Sequence, residues 1–75
     1  MKIVIYGKEN CPYCNKAKQW LDGKNIGYTY IDVLKDMNFA ELQALKLRMN
    51  MNKVPMILIN DEIIGGYDKL IQLDL

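Results

Sequence analysis

Residues 2–22 read Lys-Ile-Val-Ile-Tyr-Gly-Lys-Glu-Asn-Cys-Pro-Tyr-Cys-Asn-Lys-Ala-Lys-Gln-Trp-Leu-Asp, and this stretch decides the fold. Residues 2–6 form a short β-branched run that ends at Gly7, which predicts a buried strand. Pro12 suits the first position of a helix, because the φ of proline is already helical and its missing N–H is not needed there. The helix is predicted to continue to about Asp22, so a strand is followed closely by a helix.

The predicted helix carries one apolar stripe and one polar face. Cys14, Ala17 and Leu21 recur at helical spacing, and we expect this stripe to face the core. The side chains on the opposite face are Asn15, Lys16 and Gln19. Gly23 is a suitable end for the helix, since glycine is common just after the last helical residue.

The middle of the chain predicts a second strand and a second helix. Residues 28–33 alternate and are rich in aromatic and β-branched side chains, which indicates a strand. Asn38 and Glu41 have the spacing of a capping box, so a helix is expected from there to about Arg48. Its recurrent apolar side chains, which we expect to be buried or half-buried, are Phe39, Leu42, Leu45 and Met49.

The last third of the chain predicts a β-hairpin and a short helix. Residues 56–59 and 62–64 are apolar runs separated by Asn60-Asp61, a two-residue turn typical of antiparallel strands. Asp68 is expected to cap a final helix. The side chains that we expect to cover the sheet from this helix are Leu70, Ile71, Leu73 and Leu75.

The predicted order β-α-β-α-β-β-α indicates an α/β fold, a small mixed sheet with helices packed on it. We expect one domain, residues 1–75, because 75 residues allow only a single small core. With 51% hydrophobic and 25% charged residues, the composition is that of a globular protein.

Charge and hydropathy argue against two broad classes of function. Ten Lys and Arg residues against nine Asp and Glu residues give a net charge of +1. Nucleic-acid and anionic-membrane surfaces depend on clustered positive charge, so neither is expected. No apolar run approaches the roughly 18 residues that span a bilayer, and residues 3–6 are too short for a signal peptide. We therefore expect a cytoplasmic protein that binds neither nucleic acid nor membranes.

Cys11 and Cys14 lie three residues apart at the start of the first predicted helix, and the chain has no histidine. A helix N-terminus offers unpaired N–H groups and a partial positive charge, which favour a thiolate. We predict a redox dithiol in which Cys11 is the nucleophile and Cys14, on the inward stripe, is the resolving thiol. The alternatives are a pair that only fills space and a zinc site, which would need a dimer to supply four ligands. No metal is expected.

Three segments together resemble the glutaredoxins, the glutathione-dependent members of the thioredoxin-like fold. They are Tyr6-Gly-Lys-Glu-Asn-Cys-Pro-Tyr-Cys14, Lys53-Val-Pro55 and Ile64-Gly-Gly-Tyr-Asp68. The resemblance covers essentially the whole chain and implies a four-stranded mixed sheet with helices on both faces. It also implies a thiol–disulfide oxidoreductase that uses glutathione as co-substrate to reduce protein disulfides and glutathione mixed disulfides. A monomer is expected.

The resemblance also implies a glutathione site beside the first cysteine. Val54 and Pro55 would form a loop with a cis peptide bond, where the Val54 backbone pairs with the cysteinyl part of glutathione. Gly66, Tyr67 and Asp68 would receive the γ-glutamyl end, with Asp68 near its ammonium group. The alternatives without a ligand are a plain strand-edge proline for Pro55 and a helix cap for Asp68, and a cap is compatible with the ligand role.

Four further side chains are candidates for the opposite end of the tripeptide. Lys8 and Tyr13 would flank it, with Lys8 facing the glycine carboxylate. Arg48 and Lys53 precede the proline loop and are further candidates for that carboxylate. Position 53 is Lys where the family often has Thr, and position 67 is Tyr where many members have Cys.

Other functions stay open at this stage. A redoxin of this kind could be recharged by a thioredoxin reductase and serve, for example, a ribonucleotide reductase. An iron–sulfur scaffold would use Cys11 of two chains and two glutathione molecules, although Pro12 stiffens the loop and crowds that geometry. A pure interaction module would give no reason for a dithiol at the start of a helix.

Overall fold

Seven elements make up the protein, whose computed structural model describes all 75 residues. In chain order they are β1 (Ile3–Gly7), α1 (Pro12–Gly23), β2 (Thr29–Asp32), α2 (Phe39–Met49), β3 (Met56–Ile59), β4 (Glu62–Gly65) and α3 (Tyr67–Leu70). The predicted order is confirmed, and the predicted ends of the four strands and the first two helices are at most about one residue off. None of the three helices has the length and apolar content that crossing a bilayer requires.

The four strands form one sheet in the order β2-β1-β3-β4. β1 pairs in parallel with β2 and antiparallel with β3, and β3 pairs antiparallel with β4. A parallel pair needs a crossover connection, and α1 supplies it between β1 and β2. Asn60 and Asp61 both have a positive φ, as a type I′ hairpin turn requires, so the predicted two-residue turn is confirmed.

Alternate residues of a strand point to opposite sides of the sheet, so each central strand contributes to both faces. All four residues of β3 are buried, whereas in β1 Val4 and Tyr6 are half-buried. Ile3 and Ile5 of β1 belong to a cluster with α1 and α3 on one face. Met56 and Leu58 of β3 belong to a cluster with α2 on the other face. The first cluster is Ile3, Ile5, Ala17, Leu21, Ile57, Ile59 and Leu70, and the second is Val33, Leu45, Met49, Met56 and Leu58. Helices therefore cover both faces, as expected.

The capping box at the start of α2 is confirmed. The Asn38 side chain accepts the Glu41 backbone N–H at 2.8 Å, and the Glu41 carboxylate accepts the Asn38 N–H at 2.9 Å. The expectation that Phe39 is buried or half-buried is wrong, because its side chain is 78% exposed. Phe39 lies six residues before the buried Leu45, which places it roughly 120° around the helix from the stripe that meets the sheet.

The predicted cap of α3 is also wrong. Gly66 occupies the cap position without a side-chain bond, and Asp68 is the second residue of the helix. Gly65 has a φ of 122°, a conformation that favours glycine. This turn out of β4 lets the helix begin at Tyr67, one residue before the predicted cap.

The C-terminal residues cover the sheet only in part. Leu70 is fully buried, and Leu73 and Leu75 are partly buried against the cluster that contains α1. Ile71, which we expect to cover the sheet as well, is 41% exposed, because one residue after the buried Leu70 its side chain points about 100° around the helix axis.

Replacing Gly7 by alanine is expected to destabilise the fold. A Cβ at Gly7 would lie 2.6 Å from Cζ of Tyr30, so the phenol ring would have to move. We expect the free energy of unfolding to fall by about 1–3 kcal/mol, the usual cost of overpacking. Gly23→Ala is the matched control, since a Cβ there would meet nothing within 4 Å. Urea unfolding followed by Trp20 fluorescence measures both variants, and equal stability of the two would contradict the prediction.

Candidate active site

Cys11 occupies the position that caps the N-terminus of α1. Its φ and ψ are −116° and 104°, and its Sγ accepts the backbone N–H of Cys14 at 3.2 Å. The Cys11 carbonyl accepts the N–H of Asn15 at 3.0 Å, which closes the first helical turn. Asn10, just before the cap, has a positive φ of 55°. Negative charge on the Cys11 sulfur is therefore stabilised by a donated N–H and by the positive end of the helix.

The two cysteines form a disulfide in this structure, with their Cα atoms 5.2 Å apart. Cys14 is fully buried on the predicted stripe with Ala17 and Leu21, whereas Cys11 keeps 6% of its surface exposed. An external disulfide can therefore reach Cys11 and not Cys14, which is consistent with an attacking and a resolving thiol. No three His, Cys, Asp or Glu side chains are grouped closely enough to hold a metal ion.

The loop that leads to the first cysteine is held by β2 and by the loop after β2. The Tyr30 hydroxyl donates to the carbonyl of Lys8 at 3.0 Å. Burial raises the pKa of the Tyr30 phenol, and the Asp32 carboxylate raises it further. Lys35 pairs with Glu9, and this hydrogen bond raises the pKa of the Lys35 ammonium. These contacts hold the backbone that precedes the reactive sulfur.

A cavity of about 450 Å³ opens beside Cys11, and we call it the lysine cavity. Its lining residues are Lys8, Asn10, Cys11, Pro12, Val33, Leu34, Leu42, Lys46, Asn52, Lys53, Val54 and Met56. Lys8, Lys46 and Lys53 reach it from three different segments, and no acidic side chain lines it. The cavity therefore combines positive charge with an apolar wall next to the reactive sulfur.

A second cavity of about 340 Å³ lies on the other side of the proline loop, and we call it the proline-loop cavity. Its lining residues are Tyr13, Met51, Lys53, Val54, Pro55, Gly66, Tyr67 and Asp68. The Val54–Pro55 peptide bond is cis, as the resemblance implies. The rings of Tyr13 and Tyr67 form one wall, with their centroids 5.8 Å apart. Because Val54 and Lys53 line both cavities, the two form one groove beside the disulfide.

Every residue predicted for the glutathione site lines this groove except Arg48. The prediction that Tyr13 flanks the same end of the tripeptide as Lys8 is corrected, because Tyr13 lines the proline-loop cavity beside Tyr67 and Asp68. The Arg48 guanidinium donates to the carbonyl of Asp61 at 3.1 Å and lies 3.8 Å from the Asp61 carboxylate. Arg48 is two residues beyond Lys46 in α2, which places it roughly 200° around the helix. It therefore points to the β-hairpin, and the prediction that it faces a bound carboxylate is corrected.

Lys46 is a lining residue that the sequence reasoning missed. It follows Leu42 by four residues on α2, and both side chains line the lysine cavity. Residues four apart share a helix face, so the spacing from Leu42 could have predicted that Lys46 lies on the same side of α2. Asn10, Met51 and Asn52 also line the groove, and no sequence pattern marks them.

Comparison with protein families and curated proteins gives consistent matches. The glutaredoxin family model matches residues 3–64 of the chain. Glutaredoxin 3 of Escherichia coli strain K12 is 38% identical over 72 residues, which cover 96% of this chain and 84% of that protein. Glutaredoxin 1 of Rickettsia typhi is 39% identical over 72 residues, which cover 96% of this chain and 69% of that protein.

Solved structures with the same architecture include two glutaredoxins. Glutaredoxin 1 from Francisella tularensis, complexed with cacodylate, has a TM-score of 0.75 at 34% identity, over 95% of this chain and 88% of that chain. The buckwheat glutaredoxin–glutathione complex has a TM-score of 0.84 at 26% identity, over 93% of this chain and 64% of that chain. These likenesses confirm the thioredoxin-like fold.

Removing the Tyr30 hydroxyl is expected to change how stability depends on pH. Tyr30→Phe loses the hydrogen bond to Lys8, which we expect to cost about 1 kcal/mol near neutral pH. The pKa of Tyr30 is raised above its ordinary value of 10.0 in the folded state. The stabilisation from the phenol is therefore complete at pH values below the pKa that Tyr30 has in the unfolded chain. It is lost as the pH rises through the higher pKa that Tyr30 has in the folded protein.

The difference in the free energy of unfolding between wild type and Tyr30→Phe should consequently shrink from about pH 8 to about pH 11.5. Urea unfolding of the oxidised proteins at the two pH values measures this difference. A difference that stays constant, or grows, would refute the assignment of the raised pKa to Tyr30.

Proposed function

The chain belongs to the glutaredoxin family, and we propose that it is a glutathione-dependent member that reduces protein disulfides and glutathione mixed disulfides. Family membership and the Cys11–Cys14 pair make it a thiol–disulfide oxidoreductase. The use of glutathione is the part that we propose. The observation that supports it best is the groove beside Cys11, with lysines at one end and Asp68 at the other.

The charges of glutathione match the two ends of this groove. Glutathione has a carboxylate at its glycine end and an ammonium and a carboxylate at its γ-glutamyl end. The lysine cavity would take the glycine carboxylate, with Lys8 and Lys53 as its counter-ions. The proline-loop cavity would take the γ-glutamyl end between Tyr13, Tyr67 and Asp68. In support, the buckwheat glutaredoxin that shares this fold was solved as a glutathione complex.

Between the two ends, the backbone would hold the cysteinyl part of glutathione. Val54 lines both cavities, and Pro55 and Gly66 lie beside it in the proline-loop cavity. A Cβ on Gly66 would lie 3.7 Å from the carbonyl oxygen of Pro55, so glycine leaves space between these two segments. Backbone pairing at Val54 does not depend on side-chain identity, which suits a site that must also accept protein substrates.

The reaction begins when the Cys11 thiolate attacks the glutathione sulfur of a mixed disulfide. The bond between the two substrate sulfurs breaks, a bond forms between Cys11 and glutathione, and the departing protein thiolate takes a proton from water. The backbone N–H of Cys14, 3.2 Å from Cys11 Sγ, stabilises the negative charge on the attacking sulfur. The burial of Cys14 keeps the second thiol away from the incoming substrate.

Two routes complete the cycle. In the monothiol route, a second glutathione thiolate attacks the glutathione sulfur on Cys11, releases glutathione disulfide and restores the Cys11 thiolate. In the dithiol route, Cys11 attacks a protein disulfide, and Cys14 then displaces the bound protein thiolate. This leaves the Cys11–Cys14 disulfide, the form that the structure contains. Two glutathione molecules supply the two electrons that reduce it and become glutathione disulfide.

We further propose that the protein works as a monomer in the cytoplasm, where cellular thiols are kept reduced. Its protein substrates would be glutathionylated proteins and proteins with accessible disulfides. A ribonucleotide reductase is one candidate, because its catalytic cycle needs an external dithiol.

Replacing Cys14 by serine is expected to preserve deglutathionylation and to abolish dithiol reduction, because only the dithiol route needs the resolving thiol. Cys11→Ser is expected to abolish both activities, since it removes the attacking thiol. Steady-state reduction of a glutathionylated peptide with glutathione, glutathione reductase and NADPH measures the first activity. Reduction of a disulfide-bonded test protein measures the second.

Two outcomes of these assays would change the proposal. Loss of both activities in Cys14→Ser would contradict the roles assigned to the two cysteines. A folded wild type that is inactive with glutathione, but is recharged by NADPH and a thioredoxin reductase, would point to a thioredoxin-reductase-coupled redoxin instead.

Asp68→Asn is expected to raise the KM for the glutathionylated peptide about twofold to fivefold, as for the loss of a solvent-exposed ion pair. The kcat should change less, because Asp68 lines the cavity that does not include Cys11. Asp74→Asn is the matched control, since it removes the same charge outside both cavities. An unchanged KM in Asp68→Asn would show that this carboxylate does not hold the γ-glutamyl ammonium.

A further inference from the structure

We propose that the lysine cavity selects disulfide substrates in which an acidic side chain follows the reacting cysteine, and that Lys46 determines this preference. The proposal rests on the proposed reaction at Cys11 and extends it from glutathione to the protein substrate. It requires a surface that binds a carboxylate within reach of Cys11.

Three lysines line the lysine cavity, and none of them forms an ion pair. They are Lys8, Lys46 and Lys53, and none of the other lining residues is acidic. The two ion pairs of the chain involve other residues, so all three ammonium groups are available to a ligand. The net charge of the whole chain is only +1. The cavity is therefore a local concentration of positive charge on a nearly neutral protein.

The apolar part of the cavity favours a carboxylate that is carried on an aliphatic stem. Val33 and Met56 are buried at this wall, Leu42 is half-buried, and Leu34 is exposed next to them. Such a wall excludes water from one side of a bound carboxylate, which strengthens its attraction to the ammonium groups. The methylene groups of a glutamate side chain would contact the same wall and bury apolar surface.

Lys46 is the most buried of the three cations. It is half-buried and projects from α2, whereas Lys8 and Lys53 are exposed and lie in loops. A side chain whose rotamers are already restricted by packing loses less conformational entropy when it binds an anion. A half-buried charge is also screened less by salt than an exposed one. For these two reasons we assign the selectivity to Lys46.

The lysine cavity lies where the residue after the substrate cysteine would be placed. Cys11 and Pro12 line it, so a sulfur bonded to Cys11 lies at its edge. In glutathione the group after the cysteine is the glycine carboxylate, and in a protein it is a residue that can carry an acidic side chain. Both present a carboxylate close to the sulfur. The proposal concerns the protein carboxylate, and the experiment separates it from the glycine carboxylate.

The test follows a single round of reaction and needs no glutathione. The reduced protein reacts with a peptide whose cysteine is linked to 2-mercaptoethanol by a disulfide. The Cys11 thiolate attacks the peptide sulfur, the 2-mercaptoethanol thiolate leaves and is protonated, and Cys14 then displaces the peptide thiolate. Two electrons pass from the dithiol to the substrate, and the protein is left as the Cys11–Cys14 disulfide. Acid quenching and chromatography measure the rate of peptide thiol release.

Two peptides that differ only in the residue after the cysteine, Glu or Gln, measure the preference. At low ionic strength the wild type is expected to reduce the Glu peptide about fivefold faster, and this ratio should fall in about 0.5 M NaCl. Lys46→Gln is expected to lower the ratio to about twofold or less. Lys2→Gln is the matched control, because Lys2 lies at the opposite end of β1 from Cys11 and lines neither cavity.

A ratio near one in the wild type, or an equal ratio in wild type and Lys46→Gln, would overturn the proposal. A second arm compares the Gln peptide linked to glutathione with the same peptide linked to the glycinamide of glutathione. If Lys46→Gln affects only this second comparison, the cavity binds the glycine carboxylate alone, and the proposal is again overturned. If glutathione-dependent turnover fails, the comparison of the Glu and Gln peptides can still be made, because it uses no glutathione. The proposed use of glutathione and the proposed role of Lys46 can therefore fail separately.

Discussion

The hydrogen bond from the Cys14 N–H to Cys11 Sγ is the interaction on which the rest of the site depends. It makes the reactive sulfur the cap of a 12-residue helix, so the donor that lies in the first helical turn also stabilises a thiolate. The position of this cap is set in turn by β1, which ends at Gly7, a few residues before Cys11. Any change that moves the start of α1 therefore moves the nucleophile as well.

Strand pairing explains how a small scaffold assembles the site. Only 16 of 75 residues are buried, and many of them belong to the central strands β1 and β3. Tyr6 near the end of β1 pairs with Met56 at the start of β3, and Ile57 pairs with Gly65 at the end of β4. The loop to Cys11, the proline loop and the turn into α3 consequently leave the sheet at the same end of its strands. The groove forms where these three segments meet.

The fold also determines where the charged side chains lie. Lys46 and Arg48 are two residues apart on α2, yet one lines the cavity beside the cysteines and the other pairs with Asp61 of the hairpin. A nearly neutral chain can therefore present a strongly positive cavity, because the acidic residues lie elsewhere. Chemistry at the sulfur depends on one helix terminus, whereas substrate selection depends on side chains from several segments.

Patterns within a few residues were sufficient to predict the order of the elements, the start of α1 at Pro12 and the dithiol. These features depend on local interactions: the φ of proline, the pairing of Asn38 with Glu41, and the helical and strand periodicities. The predictions that failed for Phe39 and Arg48 depend on which face of a helix meets the rest of the molecule. The failed prediction of the Asp68 cap depends on the turn at Gly65, which sets where α3 begins. Only the tertiary structure brought together the three cavity lysines, because they lie on separate segments that strand pairing and helix packing join.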